Sequence, residues 1–92
     1  MTTETANALR AAKARIDTPE KWCKGSSKTR RQDGSFAYCA VGACEFASAP
    51  IAALKGRLPR GLLLQWYNGD PSTTHADIMA LFDRAIAAEE AT

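Results

Sequence analysis

Ninety-two residues suffice for one domain with a core of its own and for little else. A net charge of +2 does not commit the chain to nucleic acid or an anionic membrane, and no run approaches the roughly 18 apolar residues of a membrane span. Three cysteines, an odd number, do not read as a disulfide framework. With no secretory pattern at Met1-Thr2-Thr3-Glu4, a reducing, bacterial-type cytoplasm is the expected compartment.

The first element is an amphipathic helix over Thr5–Ile16, with Leu9, Ala12 and Ile16 in one stripe and Arg10, Lys13 and Arg15 off it. Thr18-Pro19-Glu20 then reads as a helix start, Thr18 as N-cap and Pro19 at N1, that runs for only a turn before Gly25 and the Ser26-Ser27 pair. Cys23 to Ser35 is polar, aperiodic and carries Gly25 and Gly34, so one long basic loop is expected there. From Phe36 to Ala49 the chain is apolar on nearly every side, which predicts a central helix, with Gly42 inside it as a point of close approach or a weak spot. Pro50 suits the first position of a short helix through Ile51, Ala52 and Leu54 that stops near Gly56, and Pro59 opens a further turn or two reaching Trp66. The strongest prediction is the last helix. Thr74 can cap it, Asp77 sits where a capping box places its acid, and Ile78, Leu81, Phe82, Ala85 and Ile86 form an unbroken stripe.

Three short motifs, Trp22-Cys23-Lys24-Gly25, Cys39-Ala40-Val41-Gly42-Ala43 and Trp66-Tyr67-Asn68-Gly69-Asp70-Pro71, together with the helix Asp77–Ile86, resemble an uncharacterised family of small bacterial and phage proteins, a domain of unknown function. In that family the second tryptophan is followed directly by Asn and Asp, whereas Tyr67 and Gly69 intervene here. The resemblance implies a fold over nearly the whole chain and no activity.

The candidate site chemistry collects in two loops. Lys21, Lys24, Lys28, Arg30 and Arg31 fall in a stretch with no acid between Glu20 and Asp33, a pattern that holds phosphate or is simply solvated. In an up-and-down bundle the loop after the first helix and the turn before the last share one end. Trp22, Lys24, Arg30 and Arg31 would there meet Trp66, Asn68, Asp70 and His75. The tryptophans could stack on a planar ligand or close the core; Asn68-Gly69-Asp70-Pro71 is strong turn chemistry whose polar side chains could also touch a ligand. His75 is the single histidine and could serve as base to a thiol of Cys23 or Cys39, although no nucleophile signature surrounds either cysteine. Cys39 and Cys44 lie five apart, about 140° around an ideal helix, without zinc-site spacing, and read as small buried hydrophobes.

The sequence therefore predicts one domain over residues 1–92, an all-α bundle of about four helices with a long basic loop. The expected function is a non-enzymatic binding or adaptor module. Its surface would be the end formed by the 22–31 loop and the 66–75 turn, and its partner another protein or an anionic ligand, nucleic acid included. The alternative is a small cysteine-dependent enzyme using Cys23 or Cys39 with His75. No motif asks for a cofactor or a metal, and no membrane partner is expected.

Overall fold

The computed structural model describes residues 2–58 and 63–91. Helix α1 (Thr2–Arg15) and helix α5 (His75–Glu90) are the long elements and run antiparallel. Their pairing is legible in the ion pairs Lys13–Asp83, at 2.6 Å, and Arg10–Glu90. Ala6, Leu9 and Ala12 of α1, with Ile16 just past its end, meet Ile78, Leu81, Phe82 and Ala85 of α5, all buried, so both stripes expected from the sequence form the core. The capping box is present as well: Thr74 Oγ1 accepts from the Asp77 N–H at 3.1 Å, and Asp77 Oδ2 accepts from the Thr74 N–H at 2.9 Å.

Between the long helices the chain is mostly helical but not purely so, which corrects the all-α expectation. Pro19–Lys21 forms a single 3₁₀ turn behind Thr18, whose backbone is extended but whose side chain does not cap. The segment read as a loop contains an antiparallel hairpin, β1 (Lys28–Arg30) and β2 (Phe36–Tyr38), in the register Lys28↔Tyr38, Thr29↔Ala37 and Arg30↔Phe36. Its turn is a three-residue loop, closed where the Arg31 N–H donates to the Ser35 carbonyl at 2.7 Å and the Gly34 N–H to the Arg31 carbonyl at 3.0 Å. Gly34 sits at φ +91°, a left-handed conformation that glycine adopts freely. A parallel bridge joins Trp22 to Tyr38 on the far side of β2.

The central helix expected over Phe36–Ala49 is correspondingly broken into three. After β2 comes the one-turn helix α2 (Ala40–Ala43), then a turn, then α3 (Ser48–Lys55). An apolar run cannot by itself distinguish a buried strand from a buried helix, and here it is used for both. Gly42 proves to be a point of close approach. A Cβ on it would stand 2.0 Å from the Ser27 carbonyl oxygen, the same oxygen that accepts from the Cys39 N–H at 3.2 Å. Helix α3 begins two residues before Pro50 and is capped by Gly56. Helix α4 (Leu64–Gly69) takes in Trp66, Asn68 and Gly69, so Asn68 and Gly69 close a helix rather than form a turn. The start expected at Pro59 lies outside the described residues.

Candidate functional site

The 22–31 segment and the 66–75 segment do meet, and the residue that joins them is Asn68. Its side chain is 2% exposed. Oδ1 accepts from the Trp22 indole N–H at 2.6 Å and from the Ala40 backbone N–H at 3.0 Å, while Nδ2 donates to the Cys23 carbonyl at 3.0 Å. Both lone pairs of the oxygen and one of the two amide hydrogens are thus taken by the chain itself. Trp22, half-buried against the core, satisfies its indole in this way. Lys24 adds a second tie, its Nζ donating to the Asp70 carbonyl at 2.6 Å while lying 5.4 Å from the Trp22 ring centroid.

Asp70 and His75 complete this end. Asp70 Oδ1 accepts from the Ser72 Oγ–H at 2.6 Å and the Ser72 N–H at 2.8 Å. Those two bonds, with a smaller contribution from the Lys24 charge, hold its carboxyl below the usual carboxylate range. His75 Nε2 lies 2.6 Å from the Ile16 carbonyl. A carbonyl only accepts, so this nitrogen carries the proton, and the ring pins the start of α5 to the end of α1. The His75 and Trp22 rings are 6.0 Å apart and tilted by 55°.

The remaining predicted residues stand elsewhere. Arg30 lies on β1, exposed. Arg31 is occupied by the hairpin turn, with Ser35 Oγ at 3.3 Å and Asp33 at 3.8 Å. Asp33 in turn accepts from Ser35 Oγ–H and N–H, which lowers its own pKa. Trp66 projects outward from α4 and is 67% exposed.

A cleft of about 580 Å³ opens beside Asn68. Gly25, Ser26 and Ser27 form one wall, Gln65, Asn68 and Gly69 of α4 another, and Cys39, Val41 and Phe46 the rest. Sequence reasoning missed Phe46. It follows α2, where the chain turns through two successive left-handed residues, Glu45 at φ 54° and Phe46 at φ 59°. Neither residue type favours that conformation, which costs on the order of 1–2 kcal/mol at each. Arg15 braces the turn, donating from Nη1 to the Ala43 carbonyl at 2.6 Å and from Nη2 to Glu45 Oε1 at 3.2 Å. The outcome is a phenylalanine 66% exposed at the cleft. Nothing in the local sequence signals it.

The thiols of Cys23 and Cys39 bond to backbone groups rather than to the histidine. Cys23 Sγ donates to the Ser26 carbonyl at 3.3 Å, and Cys39 Sγ accepts from the Gly42 N–H at 3.4 Å as the cap of α2. Cys44 is buried, and desolvation pushes its pKa up to about 12. Among the described residues no hydrogen bond links His75 to a cysteine, and no three His, Cys, Asp or Glu side chains gather as a metal site would require. Among them, too, no helix is long and apolar enough to cross a membrane.

A family model described as a family of unknown function, DUF6197, matches residues 1–88. The chain belongs to this family. No curated protein and no solved structure matches the chain. For this DUF6197 member, then, the reading of function rests on the cleft, the turn at Phe46 and the side chains around them.

Proposed function

We propose that the protein is a non-enzymatic binding module that seats an apolar side chain of a partner protein in the cleft between the 25–27 segment and α4. The observation that carries this reading is the strained turn. Two left-handed non-glycine residues are retained where they hold Phe46 two-thirds exposed at the cleft, and such strain persists chiefly where it serves a site. Trp66 favours a protein partner over a small ligand. A small ligand is enclosed by a pocket's own lining, and Trp66 is not part of that lining. An exposed tryptophan next to Gln65 extends the apolar surface beyond the cleft, together with Leu63, which is 40% exposed. Aromatic residues are enriched in the buried centres of protein interfaces and carry much of their binding energy. The free thiols of Cys23, Cys39 and Cys44 suit a reducing cytoplasm.

Selection from a displayed random-peptide library tests the proposal. The expected result is enrichment of peptides that share an apolar anchor and that lose at least about tenfold in affinity, one RT ln 10 step, for Phe46→Ala or Trp66→Ala protein. Peptides that bind both variants as tightly as the parent would overturn it, and so would selection without enrichment.

A further inference from the structure

We propose that the outer face of the β1–β2 hairpin is a second site, one that stacks a base of single-stranded nucleic acid. The register settles which side chains share that face. Arg31 N–H to Ser35 carbonyl and Cys39 N–H to Ser27 carbonyl are ladder bonds at either end of the hairpin. By the antiparallel alternation, Lys28↔Tyr38 and Arg30↔Phe36 are therefore the non-hydrogen-bonded pairs, in which facing side chains approach most closely. Side chains alternate along a strand, so Lys28, Arg30, Phe36 and Tyr38 occupy one face and Thr29 and Ala37 the other. Ala37 is 5% exposed, which makes its face the inner one. The outer face thus presents two cations and the exposed ring of Phe36, while Tyr38 is half-buried against the core.

The local geometry agrees. Lys28 Nζ lies 4.1 Å from the Phe36 ring centroid and 5.9 Å from that of Tyr38, and Phe36 stays 38% exposed. Among the described residues neither Lys28 nor Arg30 has a carboxylate partner, in contrast to Arg31, which pairs with Asp33. Lysine on an exposed edge strand is a common guard against strand pairing, and that alone would account for the cations. It does not account for an aromatic ring left open to solvent beside them. Cations without carboxylate partners suit phosphates, and the Phe36 ring, once Lys28 turns from it to a phosphate, suits a base of any sequence, provided the base is not already stacked inside a duplex. The charge is local, because the stretch from Lys21 to Gln32 contains no acid although the whole chain carries only +2.

The test is fluorescence anisotropy with a labelled short oligothymidylate. Two phosphate contacts predict an affinity about sevenfold weaker at about 200 mM than at about 50 mM salt. Phe36→Ala should bind at least about fivefold more weakly with the same salt slope, and Phe36→Trp should bind as well as the parent. Arg30→Ala should lower the slope by about 0.7. Phe36 is an exposed strand residue, so a circular-dichroism melt close to the parent's will certify that the alanine variant is folded. Absence of binding at the lower salt overturns the proposal. So does equal affinity for Phe36→Ala, which would leave only diffuse charge, or equal affinity for a thymidine–adenosine duplex of the same length. Phe46→Ala serves as the separating control: it removes the cleft aromatic and should leave oligothymidylate binding unchanged.

Discussion

Asn68 is the point at which the fold is most exposed to a single substitution. Asn68→Ala removes an acceptor shared by the Trp22 indole and the Ala40 N–H, and a donor to the Cys23 carbonyl. The three orphaned groups do not weigh equally. Ala40 is 0% exposed, so its N–H is left unpaired and out of reach of water, at about 1–3 kcal/mol. Trp22 and Cys23 are only half-buried and can turn to water, so each loses about 0.5–1.5 kcal/mol of net hydrogen bonding. A total of about 2–6 kcal/mol follows, a large part of the stability of a domain this size, and a fall in Tm of about 10 °C or more. Urea unfolding followed by circular dichroism measures it; a loss below about 1 kcal/mol would refute the assignment of Asn68 as the hub.

Asn68→Asp sharpens the same test through pH. The substitution keeps the accepting oxygen for Trp22 and Ala40 but turns a second oxygen toward the Cys23 carbonyl, 3.0 Å away in the parent. Ionised, that oxygen repels the carbonyl in a buried place; protonated, it donates to it and restores the bond. Both effects raise the carboxyl's folded pKa above the unfolded value of about 3.9. The folded state then holds the proton more tightly. The restored stability is fully present below about pH 3.9 and is lost as pH rises through the higher folded value. The stability gap to the parent should therefore narrow on acidification from neutral pH; a gap that stays constant or widens contradicts the geometry.

Three further outcomes are expected. Gly42→Ala places a methyl 2.0 Å from the Ser27 carbonyl oxygen, where backbone rather than a flexible side chain must give way, so its thermal melt should show a fall of several degrees, and an unchanged melt would mean the contact is not formed. Phe46→Gly puts a residue that accepts positive φ where phenylalanine is strained, so unfolding stability should hold or rise by up to about 1 kcal/mol while peptide binding at the cleft is lost; lower stability would mean that Phe46 is there for packing. Cys44, with its pKa pushed up to about 12 from 9, should resist iodoacetamide until denaturant is added. Its raised value also predicts stability that is full below pH 9 and lost between pH 9 and about 12, a loss that Cys44→Ala should reduce.

What the sequence disclosed and what it concealed divide along physical lines. The stripes Leu9-Ala12-Ile16 and Ile78-Leu81-Phe82-Ala85 were legible because the helical period repeats over several turns, and Thr74 with Asp77 because capping is chemistry local to four residues. The hairpin was concealed because strands of three residues give period two almost no room to repeat. Its one usable signal was Asp33-Gly34 between Lys28-Thr29-Arg30 and Phe36-Ala37-Tyr38, a turn dipeptide with the β-formers Thr29, Phe36 and Tyr38 on its flanks. The junction of the two candidate loops was inferred from bundle topology, but the structure makes it through side chains, Asn68 to Cys23 and Lys24 to Asp70, across 45 and 46 residues of chain. Glu45 and Phe46 left no trace in sequence. Their backbone is imposed by the reversal between α2 and α3 and by Arg15 from another helix, against their own preference.

Asn68 is tied to the proposed binding surface through helix α4. Helix α4 has six residues, far too few to persist alone in water, and its hold on the rest of the fold comes from buried Leu64 and Asn68. Trp66 and Asn68 are two positions apart, about 200° around the helix, so the bonds that turn Asn68 inward are what turn Trp66 out to 67% exposure. Arg15 does for Phe46 what Asn68 does for Trp66, fixing an aromatic in the open through bonds made within the fold. Both aromatics are therefore presented by residues anchored in the fold rather than by flexible loops. Little side-chain or backbone freedom remains to be lost when a partner docks, and that preorganisation favours binding by a surface as small as this one.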